Sequence, residues 1–402
     1  MKQNFLRTVL LTLSACFIFS LSAGITNDYG ILLGSLVANT GLSYAAVSLM
    51  IAIGQMFYGL CQPLFGLLAE KRGARLTMLT GVCLILIGLL LLPYCTLAWQ
   101  LLFCIGILLP AGTGAISFGL LIGSIAPKIP AKSLSLVSGI VNASCGIGSA
   151  VFLPATQYLL LTAGLRGAMF ILALPAACLI PLCLFISSRS GNAPVAAGPA
   201  QAEFAGQSVL GKFLATLKNR TYRLLVLAFF ACGFHVSLVY SHLPSQFKFY
   251  GIAPETVAMA FSVCGIMTIA GSVFSGWLCG RLPMKIVMGT IFTLRVIIVL
   301  LFLLLPKTAV LALVFAAFLG LCGESTVPPA SGIINKTFGA ARLATLFGFA
   351  FFIHQLGAFF GAWLGGECFE LFGGYTEIWL LDCLLCAFAA LASYRIRENT
   401  AN

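Results

Sequence analysis

Runs of about 20 apolar residues, the length that crosses a hydrocarbon core, recur along the whole of this 402-residue chain with only short polar breaks between them. Twelve stand out, approximately at 8–30, 44–69, 76–95, 99–126, 134–162, 167–187, 222–245, 255–280, 284–305, 308–334, 343–371 and 376–394. In lipid every backbone N–H and C=O must be satisfied internally, which leaves helices or closed barrels. Barrel strands are short and alternate in polarity, so continuous runs of this length predict helices. Several runs exceed the minimum span and imply tilted or bent helices. Only 8% of the residues are charged, against roughly 25% in a soluble domain, so no water-soluble surface is available. The expected class is an all-α polytopic membrane protein with twelve transmembrane helices.

Charge gives the orientation. The formal net charge is +12, from 22 Lys and Arg against 10 Asp and Glu. Eighteen of those 22 basic residues fall at alternate helix ends, on the side that also holds both termini. The positive-inside rule places that side in the cytoplasm. The basic excess is then a topology signal with secondary attraction to anionic lipid, and no nucleic-acid partner is expected. Near the start, "LSAC" (Leu13 to Cys16) follows Lys2 and Arg7 and resembles a lipoprotein cleavage box. The apolar run continues through "FIFSLSAGI", so this segment is read as helix one. The 15 cysteines fall almost entirely inside the runs, singly and without metal-ligand spacing. They are read as small packing residues, with no metal or cofactor expected.

One long polar segment, Ser187 to Arg220, is rich in Ala, Gly and Pro and reads as a linker. Its end, "SVLGKFLATLKNR", has apolar residues at helical spacing and predicts a short interfacial helix. The chain divides into an N-terminal six-helix bundle at 1–187, a cytoplasmic linker at 188–221 and a C-terminal six-helix bundle at 222–402. "GLLAEKRGAR" (Gly66 to Arg75) after helix two has a degenerate counterpart, "GWLCGRLPMK" (Gly276 to Lys285), after helix eight. Both begin with glycine and end in basic residues, as expected of two parallel six-helix repeats.

"GLLAEKRGAR" resembles the helix two to three signature of the major facilitator superfamily. Gly66, Leu68, Ala69, Lys71, Gly73 and Arg75 match in kind, with Glu70 in place of the usual Asp. The resemblance covers the whole chain. It implies that Gly66, Glu70, Lys71, Gly73 and Arg75 form a gating element that locks the outward-open arrangement from the cytoplasmic side. "NDYGILLGSL", "SGIVNASCGIGSAVFLP", "GFHVSLVYSHLP" and "FFIHQLGAFFGAWLGG" also look like bacterial relatives of monocarboxylate transporters and oxalate/formate antiporters. Oxalate-type members hold carboxylates with an Arg in helix eight and a Lys in helix eleven. This chain has no Arg within helix eight and offers His354 in helix eleven.

An ionisable side chain at the centre of a bilayer costs about 2.5 to 3.5 kcal/mol on insertion scales, so each one needs a partner or a wet cavity. Seven are present: Asp28, His235, His242, Arg295, Glu324, His354 and Asp382. Asp28 lies 21 residues beyond Arg7, about 31 Å along a helix, and is expected at the outer surface as a solvated acid. Tyr29 beside it can reach the outer mouth. His235 and His242 share a face of helix seven. His235 is expected to bond a backbone carbonyl, and His242 is a candidate for ligand or proton. Arg295 is expected to form a structural ion pair with Glu324; without that pair, Glu324 becomes a free carboxylate suited to protons. Pro328 and Pro329 bend or unwind helix ten beside it. Asn142, flanked by glycines, is available to a substrate or to another helix.

His354 stands within about 20° of Gly361 and Gly365 around the axis, so it faces protein or cavity, while Gln355 is turned by about 100°. Two roles remain for His354, a packing residue in a close helix crossing or a group meeting substrate and protons. Substrate contacts are expected at Tyr29, Asn142, His242, His354 and Gln355, and proton coupling at Glu324 and His354. No Walker loop, nucleophile triad or soluble catalytic domain is present, so an enzyme is not expected. The leading function is proton-coupled secondary transport of a small organic acid by alternating access, in a monomer of the inner membrane. Proton-coupled efflux of drugs or metabolites is the alternative, favoured if Glu324 is free and the cavity is mainly aromatic, which the 33 Phe residues leave open. A non-transporting receptor or scaffold is the alternative from another class.

Overall fold

A computed structural model describes residues 2–125, 128–129, 131–187, 216–338 and 340–398. The expected interfacial helix at 208–220 lies mostly outside these residues. Among the described residues all regular structure is helical. The helices are α1 (Lys2–Asn27, carried past Asp28 by Tyr29–Thr40), α2 (Tyr44–Arg72), α3 (Ala74–Leu91) and α4 (Ala98–Ile125). They continue as α5 (131–163), α6 (165–187), α7 (Arg220–Ser241, extended by Leu243–Phe249) and α8 (Pro254–Cys279). The last four are α9 (Met284–Leu304), α10 (Ala309–Phe338), α11 (Ala340–Phe372) and α12 (Thr376–Tyr394).

Eleven stretches are long and apolar enough to cross a membrane, and one of them, Gly139–Ser187, is 49 residues long. Gly164 divides it into α5 and α6 with φ 64° and ψ −178°. That backbone state suits a residue without Cβ, so the chain reverses there and the count becomes twelve. Both ends of the described chain then lie at one face, here the terminal face, and the other is the distal face. The twelve-helix expectation is met.

Local chemistry shapes the distal ends. Gly41 at φ 67° stops the extension of α1, and Ser43 caps α2 by accepting from the Ala46 N–H at 3.1 Å. Lys307 Nζ donates to the carbonyls of Phe302 at 2.6 Å and Leu305 at 2.7 Å, closing the C-terminus of α9 with a cation where the helix dipole favours one.

One apolar core fills the bundle of α1 to α6 and two fill that of α7 to α12. The bundles meet along α2 with α11 and α5 with α8. Ala362 of α11 enters the first core, and Ile31 and Leu153 enter one of the second bundle's cores. These seams place α8 and α11 beside the first bundle, and α10 packs on α8.

Candidate functional site

The centre is built on a broken helix. Pro328 and Pro329 have no N–H, so the α-helical ladder cannot pass through them, and α10 narrows to a 3₁₀ turn at Glu324–Thr326. Freed carbonyls need donors. Ser275 of α8 donates to the Ser325 carbonyl at 2.6 Å, and Arg295 Nη2 donates to the carbonyls of Cys322 at 2.7 Å and Gly323 at 2.6 Å. Arg295 is fully buried, with its guanidinium 5.0 Å from the Phe292 ring centre. The expected Arg295–Glu324 ion pair does not form. The guanidinium instead caps the carbonyl end of the first half of α10, where backbone acceptors converge on it and the helix dipole is negative. Among the described residues the ion pairs are His235–Asp382 and Lys336–Glu398.

Glu324 is therefore half-buried and makes no hydrogen bond or ion pair among the described residues. Its carboxylate lies within Coulomb range of Tyr58 on α2 and Cys145 on α5. From the second bundle it is within range of Tyr240, Cys264 and His354.

His354 sits on the α11 glycine stripe, and the stripe packs on α7. A Cβ added at Gly233 would overlap the His354 carbonyl oxygen, and one at Gly357 would overlap that of Phe230. Only glycine permits this crossing, so the close-packing expectation is met. The imidazole of His354 stacks on Phe351 at 5.4 Å and faces Phe229 edge-on at 6.0 Å. Its Nδ1 donates to Gln355 Oε1 at 3.0 Å, and Gln355 Nε2 donates to the Gln55 carbonyl of α2 at 3.1 Å. Gln355 thus faces the other bundle while remaining bonded to His354.

Other predicted residues lie elsewhere. His235 pairs with Asp382 of α12 at 2.7 Å, where a backbone carbonyl was expected. A carboxylate and an imidazole, each isolated on its own helix, satisfy one another in the bundle interior. His242 is buried at the distal end of α7. Its Nε2 donates to the Ala362 carbonyl at 2.7 Å, and its Nδ1 accepts from Tyr44 at 2.9 Å. The Tyr375 hydroxyl donates to Tyr44 at 3.1 Å, and the Ala45 N–H donates to Glu370 at 2.7 Å. These bonds tie α2 to α7, α11 and α12 at the distal face.

Asp28 is buried, against the expected solvated acid, because α1 runs on to Thr40 and leaves it inside the bundle. Thr156 Oγ1 donates to one of its oxygens at 2.5 Å, and the other has no partner. Tyr29 is buried in the first bundle's core and lines the same small cavity as Asp28. Asn142 is half-buried one turn from Cys145, on the same face of α5. Within the helix-two signature, Gly73 links α2 to α3 at φ 86°, Gly66 has open space beside it and Arg75 is exposed. The side chains of Glu70 and Lys71 lie outside the described residues.

Sequence reasoning passed over Tyr44, Tyr58, Glu370 and Tyr375. Three of these stand at helix ends, where aromatic and charged residues are ordinary, so nothing marked them.

Comparison with known proteins agrees with this architecture. The family description "Major Facilitator Superfamily" matches residues 9–304 and 247–402. Monocarboxylate transporter 13 of Rattus norvegicus is 26% identical over 370 residues, covering 91% of this chain and 83% of the relative. The oxalate:formate antiporter of Oxalobacter formigenes is 23% identical over 400 residues, covering 96% of this chain and 90% of the relative. The crystal structure of a D-xylose–proton symporter superposes with a TM-score of 0.74 at 16% identity, over 98% of each chain, a likeness of fold. Twelve membrane-spanning helices in two bundles, and a family match over nearly the whole sequence, place the chain in the major facilitator superfamily as a multi-pass membrane transporter.

Proposed function

We propose that the protein carries a small organic acid of the monocarboxylate kind across the cytoplasmic membrane by alternating access, coupled to protons and acting as a monomer. On this reading residues 1–187 and 222–402 are the moving halves, 188–221 joins them, and the terminal face is cytoplasmic, as the basic residues argue. The observation that carries the proposal is Glu324, an unpartnered carboxylate of the second half within Coulomb range of Tyr58 and Cys145 of the first and of Tyr240 and His354 of its own.

The coupling follows from charge. A substrate carboxylate entering beside ionised Glu324 meets like-charge repulsion in a poorly screened site, whereas protonated Glu324 accepts it. Proton and anion then bind better together than apart, and linkage makes the effect reciprocal. Gln355 and Asn142 supply N–H donors for the anion, His354 adds Nε2–H when protonated, and Tyr58 adds a hydroxyl. The bonds of Tyr44, His242, Tyr375 and Glu370 close the distal path. Names of relatives that carry monocarboxylates or exchange oxalate for formate support the substrate class.

The test uses purified protein in vesicles with a trapped pH dye. Adding mono- or dicarboxylates outside should acidify the lumen, and Glu324→Gln should abolish that response. Proton movement evoked only by cationic or neutral compounds would replace this reading with drug or metabolite efflux. No solute-dependent movement at all would point to a receptor.

A further inference from the structure

His235 and Asp382 are completely buried, come from helices at opposite ends of the second bundle's sequence, and make no direct bond to Glu324. Asp382 Oδ2 takes the proton on His235 Nδ1 at 2.7 Å, which fixes the tautomer and leaves Nε2 with a free lone pair. Nε2 is buried and has no hydrogen-bond partner. His235 borders a cavity it shares with Glu324, Tyr240, Thr268 and Gly320. That cavity has room for about one water molecule. Nε2 is the only polar side-chain atom His235 has left to offer, and Glu324 is the only acid on the cavity wall.

Cys386 Sγ lies 3.8 Å from the other oxygen of Asp382, so three donor types converge. Two atoms sharing a tetrahedral metal ion stand about 3.3 Å apart, and the shorter His235–Asp382 contact is a hydrogen bond. The arrangement is a carboxylate-oriented base.

We infer that the His235–Asp382 dyad is a second proton station, joined to Glu324 by one water in the shared cavity. The proton leaves the Glu324 carboxyl for the water oxygen while the water passes a proton to His235 Nε2. Glu324 becomes a carboxylate, and His235 an imidazolium bonded to Asp382. Arg295 from α9 brings a positive charge, and Asp382 from α12 a negative one, within Coulomb range of His235. Cys232 on α7, and Cys383 and Cys386 on α12, complete the titratable surroundings of the dyad, and Tyr240, Cys264 and His354 stand around Glu324. A second station lets Glu324 shed its proton while the substrate is still enclosed, so that release of the proton is separated from release of the anion.

This inference rests on the proton-coupled reading above, and the experiment separates the two. Wild-type vesicles are measured first: no solute-dependent proton movement there would sink the coupled reading itself. With coupling present, His235→Gln and Asp382→Asn should lower pH-driven net uptake about tenfold, while substrate exchange, which moves no net proton, falls no more than about twofold. Equal loss of both, or of neither, overturns the dyad's role. A spectroscopic measurement keeps the idea testable if those variants fold poorly. The Trp379 ring lies edge-on to His235 at 6.1 Å, where an imidazolium quenches indole fluorescence. A protein retaining Trp379, with phenylalanine at Trp99, Trp277 and Trp363, should show quenching on acidification. A flat titration overturns the proposal.

Discussion

The two bundles share a fold and differ in how they treat charge. Among the described residues of α1 to α6 the fully buried acid is Asp28, held by one hydroxyl from Thr156 beside a small apolar cavity. In α7 to α12 the interior holds Arg295, the His235–Asp382 dyad, Glu324 and His354. The first half meets the seam with neutral groups such as Tyr58 and Cys145, while the second brings an acid and an imidazole. Two repeats of one architecture have thus divided the labour, one supplying a wall and the other the charges. Burying several ionisable groups together is cheaper than scattering them, because each can satisfy the next.

Stability separates the halves most sharply. Arg295→Met leaves two carbonyls at the α10 break without donors and should cost about 3 kcal/mol, from hydrogen bonds to a charged group at about 1.5 kcal/mol each. Asp28→Asn, which keeps an acceptor for Thr156, should cost less than about 1 kcal/mol. A dye that reacts with buried cysteines as they become exposed on heating measures both. Equal losses would break the contrast between the bundles.

Backbone packing sharpens it next. Gly357→Ala forces α11 off α7 and should destabilise by about 1–3 kcal/mol, whereas Gly139→Ala on α5, with open space beside it, should stay within about 0.5 kcal/mol of wild type. The same thermal assay reads this pair. In transport, Glu324→Gln should reduce pH-driven uptake at least about tenfold, near 1.4 kcal/mol, and Asp28→Asn by no more than about twofold. If Asp28→Asn abolishes uptake as well, the first half is part of the proton path and the assignment of charge chemistry to the second half fails. The smallest effect belongs to the contact between halves. Tyr375→Phe removes one hydrogen bond, the one it donates to Tyr44, of about 1 kcal/mol from the distal closure. A cysteine placed at Ser48 in an otherwise cysteine-free protein should then be labelled from the distal side roughly fivefold faster.

Hydropathy alone was enough for the twelve helices, because apolar length is written locally in the chain. The crossing at His354 was equally legible, since the glycines that allow it share its helix face. Pairings between distant helices were not. His235 and Asp382 lie 147 residues apart, and neither carries a local mark of the other. Asp28 was misplaced by depth arithmetic that ended the helix too soon, before the extension to Thr40. The partner of Arg295 was within reach in principle. Pro328 and Pro329 announce freed carbonyls, but acids are the habitual partners sought for arginine, and backbone acceptors leave no residue type to search for.

The glycine crossing between α7 and α11 has a mechanical meaning. Where backbone lies on backbone there are no side-chain rotamers to yield, so the two helices are welded into one plate, and His354 travels with Glu324's half of the molecule. The distal contacts of α2 with His242, Glu370 and Tyr375 are a latch by contrast, made of hydroxyl, imidazole and carboxylate bonds that water can replace one at a time. Any rocking of the halves must spend its travel at the latch and spare the weld, and the imidazole of His354 is carried through the cycle as a fixed point on the moving plate.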